Sequence, residues 1–362
     1  MKRAKELAAI FAKPFFIFRK KAPLPSYILG RFVVMALMLF LLGLAVFALM
    51  ALAPGDIVSQ VMIQQLMSTS EGRASAVQKD FTGEWAEAQR RELGLDQPFY
   101  VQYLKWLSQV IVNRDLGVSL ISRAPVSFLI GTRLLNSVLI NIISLVLITF
   151  FSFLLGVYFA SKAGTKTDLA VSFFALALHA FPGILLLILL QLFASLTGLF
   201  PVTAYPFFPF RDAPVRFVFS YSHHIFLPLL AAFLGGIGGT LRMIRATMLD
   251  QLGAPYITSL RSRGIAEWRI YLAHAFRNTL NPYITGSANM LAGLFSGSLI
   301  LEIIFAYPGI GRLMYEAVMQ QDINLVLANI MFVSFLVLLG MIISDICLAL
   351  VDPRIRYGKE GS

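Results

Sequence analysis

The sequence predicts an all-α polytopic membrane protein with six transmembrane helices and cytoplasmic N- and C-termini. Three observations predict it. Of 362 residues, 58% are hydrophobic and only 14% charged, against about 25% charged in soluble domains. The charges gather into a few segments and leave long charge-free runs, and about 20 apolar residues cross about 30 Å of hydrocarbon at 1.5 Å rise per residue. The basic excess then falls on one side of the resulting topology, which makes that side cytoplasmic.

Residues 1–31 interleave basic residues, from Lys2 to Arg31, with Phe11, Phe15, Phe16, Ile17 and Phe18. This is a basic amphipathic segment that lies on the inner membrane surface or sets the topology. The first span is 32–55. Ala51-Leu52-Ala53 resembles a signal cleavage site, but the apolar run exceeds the about 7–15 residues of a signal peptide and reads as a retained helix. Residues 56–133 form an external domain with equal numbers of basic and acidic residues. Within it, Leu93-Gly94-Leu95-Asp96-Gln97-Pro98 reads as a helix stop and turn. Tyr100–Val112 reads as an amphipathic helix with Tyr103, Leu104, Leu107 and Ile111 on one stripe, packed on the outer mouth of a pore.

The second span is 134–161, between Arg133 and Lys162. The third charge-free run, Leu169–Phe210, is long enough to cross twice. Its second half, however, carries Gly198-Leu199-Phe200-Pro201 and Tyr205-Pro206-Phe207-Phe208-Pro209-Phe210. Prolines at that density break helices, and aromatics suit the interface. The reading is one span, 169–197, kinked by Pro182, and an outer interfacial loop, 198–216. Spans four, five and six are 217–241, 282–305 and 323–351, with 352–362 as a cytoplasmic tail. On this topology the inside segments 1–31, 162–168, 242–277 and 352–362 hold 19 basic and 6 acidic residues, whereas the outside is close to neutral.

The basic segment 242–281 is the most informative. Joining two spans takes a few residues, and this segment has about 40. Tyr256, Ile257 and Leu260 form one face of a short helix that Gly264 ends. Ala266 to Leu280 form a second helix with Trp268, Tyr271, Leu272, Ala275 and Phe276 on its apolar side, and Pro282 starts the next span. A short projecting helix offers a ridge to a partner's groove; the plain alternative is a connector.

Inside the spans, Gly235-Gly236 and Gly238-Gly239 give span four a small-residue face. Span five has another, with Ser287, Asn289, Gly293, Ser296 and Gly297 as candidate pore-lining residues. His179 reads as a packing residue. Glu302 and Asp345 lie near span ends, away from mid-depth, where a charge costs about 2.5–3.5 kcal/mol, so neither suits a proton relay.

Other chemistries lack their residues. Cys347 is the single cysteine, so it forms no internal disulfide, and the four histidines are too scattered for a metal site. No catalytic constellation and no cofactor motif is present. His223-His224 lies near the outer surface without a carboxylate motif. No GxxxxGK[ST] loop exists, so ATP is not hydrolysed by this chain. The basic segments flank spans and suit anionic lipid, not nucleic acid. A secondary transporter without an ATPase partner is the alternative reading; it would show broken helices in both halves and midplane ionisable groups.

The chain resembles the integral membrane permease family of binding-protein-dependent ABC importers, and most the B-type subunit of the dipeptide/oligopeptide branch. Tyr27-Ile28-Leu29-Gly30-Arg31 through Leu52-Ala53-Pro54-Gly55-Asp56 is similar to its first span. Leu93 through Pro98, Val101-Gln102-Tyr103-Leu104 and Asp115-Leu116-Gly117-Val118-Ser119 resemble its external region. Gly264 and Pro282, with His274, Arg277 and Asn278 between them, match the spacing of its cytoplasmic loop signature, although Leu260 and Ser262 stand where relatives carry small alanines. Glu302 through Phe305, Pro308-Gly309-Ile310-Gly311-Arg312-Leu313 and Asp352-Pro353-Arg354-Ile355-Arg356-Tyr357 match later blocks.

The resemblance implies a type I importer permease that forms half of a translocation pathway for peptides or a similar small solute in the cell inner membrane. It implies a second related permease as heterodimer partner, two cytoplasmic ABC ATPase subunits and an extracytoplasmic substrate-binding protein. It also implies a coupling helix around Pro255–Gly264, with Pro255, Tyr256, Ser259, Leu260, Arg263, Gly264, Glu267, Arg277 and Asn278 at the ATPase contact.

Overall fold

The computed structural model describes residues 23–52, 87–88, 90–91, 96–280, 283, 294 and 298–351, with side chains from 29 to 343. It is mostly helical. Among the described residues the one β feature is an isolated bridge between Val118 and Pro125. The chain divides into two compact units, Met1–Ile130 with Glu316–Ser362, and Gly131–Tyr315.

In the first unit, α1 (Pro23–Leu52) is apolar on all sides, as a lipid-embedded helix must be. It packs on α11 (Ile323–Val351) and on α2 (Phe99–Asn113). Gly43 makes the second contact possible: the Tyr103 ring lies where a side chain would stand. The ring sits between Phe40 and Phe47, and its hydroxyl donates to the Phe40 carbonyl at 3.0 Å. The face of α2 that packs is therefore Tyr103 and Trp106. The expected stripe is rotated, because Leu104 and Ile111 are exposed. An aromatic ring fitting a glycine notch outweighs an aliphatic stripe here, and the partner it selects is α1.

After α2 the chain reverses through a tight turn, in which the Asp115 carboxylate accepts from the Gly117 amide at 2.9 Å. This turn is stitched to the start of α11. The Ser119 hydroxyl donates to Asp322 Oδ2 at 2.6 Å, and the Asn324 side chain donates to the Val118 carbonyl. Asp322 meanwhile caps α11 by accepting from the Leu325 amide at 3.2 Å.

The second unit contains most of α3 (Val126–Ser161), then α4 (Lys166–Ala180), α5 (Gly183–Thr197) and α6 (Pro214–Leu252). It continues through α7 (Pro255–Ser262), a compound helix α8, and α9 (Leu299–Ile304). α8 runs through Glu267–Arg269, a π-helical Ile270–Ala275 and Phe276–Thr279. The short α10 (Ile310–Met319) leads into α11.

The helices differ from the expected spans in three places. The segment 169–197 is not one kinked helix but two, α4 and α5, bent by 92°. Phe181 is extended at ψ 131, as the residue before a proline prefers, and Pro182 cannot donate to continue the ladder. The helix that carries span four also continues past 241. α6 runs for 39 residues, to Leu252, because Arg242 and Arg245 mark the edge of an apolar run without interrupting a helix. Likewise α3 starts at Val126, ahead of the apolar run, opened by Pro125.

α4 packs along α6. Gly238 and Gly239 let the two backbones approach, with His179 against them, so both these glycines and His179 serve packing. Gly236 does the same for Ile148 of α3. The loop 198–213 carries an aromatic cluster in which Tyr205, Phe208 and Phe210 surround Phe217 of α6. Among the described residues, four helices are long and apolar enough to cross a membrane, or five if α4 and α5 count as one broken span.

Residues 1–22 of the expected segment 1–31, 56–86 of the expected external domain with Leu93, Gly94 and Leu95 of its turn, most of 282–305, the tail 352–362, and the pore-lining candidates Ser287, Asn289, Gly293, Ser296 and Gly297 lie outside the described residues.

Candidate functional site

The site is the folded segment that follows the apolar part of α6. α6 delivers Met248, Leu249 and Leu252 to a small core. Ala160 and Val157 at the end of α3 meet them there, with Ile257 of α7 and Ile270 and Ala275 of α8. Ile257 and Ile270 are fully buried. α7 starts with Pro255 at its first turn, where the missing amide costs nothing. It ends in a left-handed turn at Gly264, φ +74.

The hydrogen bonds around Gly264 are those of a Schellman motif. The Ile265 amide donates to the Leu260 carbonyl and the Gly264 amide to the Arg261 carbonyl, and Leu260 and Ile265 both pack on the same core. Across this turn Arg261 Nε donates to Glu267 Oε1 at 2.8 Å. Arg261 holds the Glu267 carboxyl below the ordinary carboxylate range. The chain thus leaves α7, reverses and enters α8 in a defined direction.

The expected coupling residues divide by this geometry. Tyr256 and Leu260 face inward onto the core. The Tyr256 hydroxyl donates to Gln251 at 3.0 Å and accepts from Asn278 Nδ2 at 3.2 Å. Pro255, Ser259, Arg263, Glu267 and Arg277 are exposed, as is Gly264 itself. The inward set shapes α7, and the outward set is what another molecule would meet. On α8, Trp268 and Leu272 are also exposed, with the Arg269 guanidinium over the Trp268 ring.

Sequence reasoning missed a second polar feature. Arg245 of α6 grips Asp168 in the first turn of α4, Nε to Oδ1 at 2.6 Å and Nη2 to Oδ2 at 2.7 Å. Thr165, which caps α4 by accepting from the Asp168 amide, was the available local signal: Thr-x-x-Asp before an apolar run is a helix start. Nothing local pointed to Arg245, which stands far along the chain on a different helix.

The block around Glu302 is equally well defined. Its carboxylate is fully buried. Oε1 accepts from the Ser137 hydroxyl at 2.7 Å, and Oε2 from the Arg312 amide at 2.8 Å. Gly309 and Gly311 crowd the carboxylate so closely that a Cβ on either would press on it. Asn136 donates to the Pro308 carbonyl and accepts on its own carbonyl from the Tyr307 hydroxyl. The Glu302, Pro308, Gly309 and Gly311 pattern is therefore a carboxylate wrapped by a turn. Among the described residues no cluster of three metal-ligating side chains forms.

The chain is similar to known proteins along most of its length. The family model for the binding-protein-dependent transport system inner membrane component matches residues 152–357. The N-terminal model for the membrane component of the same systems matches 24–129. The oligopeptide transport system permease protein AppB of Bacillus subtilis is 33% identical over 322 residues, covering 88% of this chain and 95% of AppB. The glutathione transport system permease protein GsiC of Escherichia coli K12 is 28% identical over 333 residues, covering 92% of this chain and 99% of GsiC.

Proposed function

This chain belongs to the binding-protein-dependent transport system inner membrane component family, and from that premise we propose that it is half of a translocation pathway whose motor is a separate ATPase pair. It is a multi-pass permease subunit of the inner membrane, in an ABC importer of the peptide branch. The names of its relatives support peptides or a similar small solute as cargo. A second, related permease completes the pathway, a binding protein delivers cargo outside, and two ABC ATPases act from the cytoplasm. The path has six spans with both termini inside; the broken α4–α5 pair is span three and 282–305 supplies span five. The relatives support this reading over a secondary transporter.

The observation that carries the proposal is the build of α7. Its apolar side is locked into a core shared with α3 and α6, its end is fixed by the Gly264 turn, and its polar side is exposed. Such a helix transmits a push instead of bending under it. α7 is the coupling helix, and Pro255, Ser259, Arg263, Glu267 and Arg277 present its contact surface. The carrier needs two arrangements of similar free energy. A motor that bound both equally would shift neither, so the docking energy must differ between them, by about 1–3 kcal/mol in typical allosteric systems.

Gly264→Pro tests this. The proline ring locks φ in the negative range and leaves no amide to donate, so the turn is lost while the spans remain. In vesicles holding the whole transporter, ATP hydrolysis continues and import stops. Normal import by this variant removes the coupling role of α7.

A further inference from the structure

The small core that seats α7 draws on α3, α6, α7, α8 and the turn leading into α8, but α4 contributes no side chain to it. A push on α7 therefore reaches α3 and α6 by direct packing, and reaches α4 through α6, through the 162–165 turn that joins it to α3, and through Leu155 of α3, which packs on the same cluster as Ala175. Along their length α4 and α6 meet through apolar and small residues, Ala175 against Ile237 and Leu241 and the Gly238–Gly239 notch. Small faces allow close approach, and His179 keys them at the Gly238–Gly239 notch, toward the other end of α4 from Asp168.

A directional link exists at one end. The Asp168 carboxylate is 3% exposed, and the Arg245 fork holds both its oxygens. Oδ2 also accepts from the Gly164 amide at 3.0 Å. Helix capping does not explain the arginine, since Thr165 already caps α4. Arg245 stands just before Met248, a core member, about 4.5 Å away along the same helix. The fork is thus rooted next to the seat of α7 and reaches across to α4.

We propose that Asp168 and Arg245 form the joint that makes α4 follow α7 and α6 during coupling, a positioning pair for transport. The proposal rests on the reading of α7 as the coupling helix. Without the fork α6 still moves with α7, while the start of α4, held then only by the 162–165 turn and its apolar contacts, no longer keeps its place against α6.

The test needs no knowledge of the cargo. Spin labels are placed at Thr258→Cys on α7 and Phe174→Cys on α4, both exposed, with Cys347→Ser. Their separation is measured in the complete transporter, without nucleotide and trapped with ATP and vanadate. In the wild-type background the distance stays constant within about 2 Å, the scale of small shifts between packed helices. In Asp168→Asn and in Arg245→Lys, which keeps charge but not the planar fork, it changes on trapping or broadens. A wild-type distance that changes on trapping overturns the joint, as does a constant distance in both variants. Should Asp168→Asn fail to accumulate, the wild-type and Arg245→Lys arms decide. A Thr258 label that stays mobile when the ATPases are bound means that the docking reading itself has failed, whatever the distance does.

Discussion

Glu302 and Asp168 are both buried carboxylates, yet their partners differ in kind. Ser137, which binds Glu302, and Ala160, in the core beside Asp168's partner helix, lie toward opposite ends of α3. They are separated by about 35 Å of helix, close to the hydrocarbon thickness of a bilayer. At the start of α3 the carboxylate is held by a hydroxyl, backbone amides and two glycines. These groups have almost no freedom to rearrange. At the other end the carboxylate is held by a guanidinium on a long stem from another helix. The first arrangement suits a fixed end, and the second suits a joint between helices that move.

The largest expected effect breaks the first arrangement. Glu302→Ala leaves the Ser137 hydroxyl and the Arg312 amide without their acceptor, at about 1–3 kcal/mol for each buried group. Gly309→Ala forces a methyl into the carboxylate, a comparable overpacking cost. Thermal unfolding of the purified protein in detergent reads both, and no second side-chain substitution restores Glu302→Ala, because one of its partners is backbone.

Asp168→Leu comes next. It strands Arg245, which is partly exposed, so the loss is about 1–3 kcal/mol and smaller than that of Glu302→Ala. Here a second substitution does help: Asp168→Leu with Arg245→Met recovers most of the unfolding temperature, as apolar replacement of buried ion pairs often does. Recovery at Asp168 together with none at Glu302 would sharpen the contrast; the reverse pattern would break it.

Gly264→Ala is milder, about 1 kcal/mol from the left-handed backbone, and shows as faster amide exchange at Ile265. Smallest is the Arg261–Glu267 pair, because it is exposed. Its carboxyl is depressed in the folded state, so its contribution is fully present above the unfolded carboxyl value of about 4.3. It is lost as pH falls through the lower folded value. Protection against amide exchange at Gly264 and Ile265, taken relative to the intrinsic rate at each pH, should fall only in that acid range, and Glu267→Gln should remove that dependence.

Much of the fold was readable because lipid imposes long apolar runs: α1 and α11 are built largely on charge-free stretches, each carrying one charge near an end, Arg31 and Asp345. α7 and its Gly264 end were readable because a left-handed turn demands glycine. What escaped has physical reasons. A helix need not end where a bilayer does, so Arg242 hid the continuation of α6. An amphipathic period leaves the choice of face to the partner, so only the Gly43 notch selected Tyr103 over Leu104. Charge alone puts Glu302 near a span end, but its partner Ser137 belongs to another helix remote in sequence. No local pattern joins those two, or joins Asp168 to Arg245.

The central claim is that α7 faces the cytoplasm, where a motor can push it. Arg263→Cys, in a Cys347→Ser background, is treated with a membrane-impermeant maleimide. Intact cells should show no labelling and inverted membrane vesicles should show strong labelling. Labelling of intact cells would put α7 on the far side of the membrane from any ATPase and contradict the account.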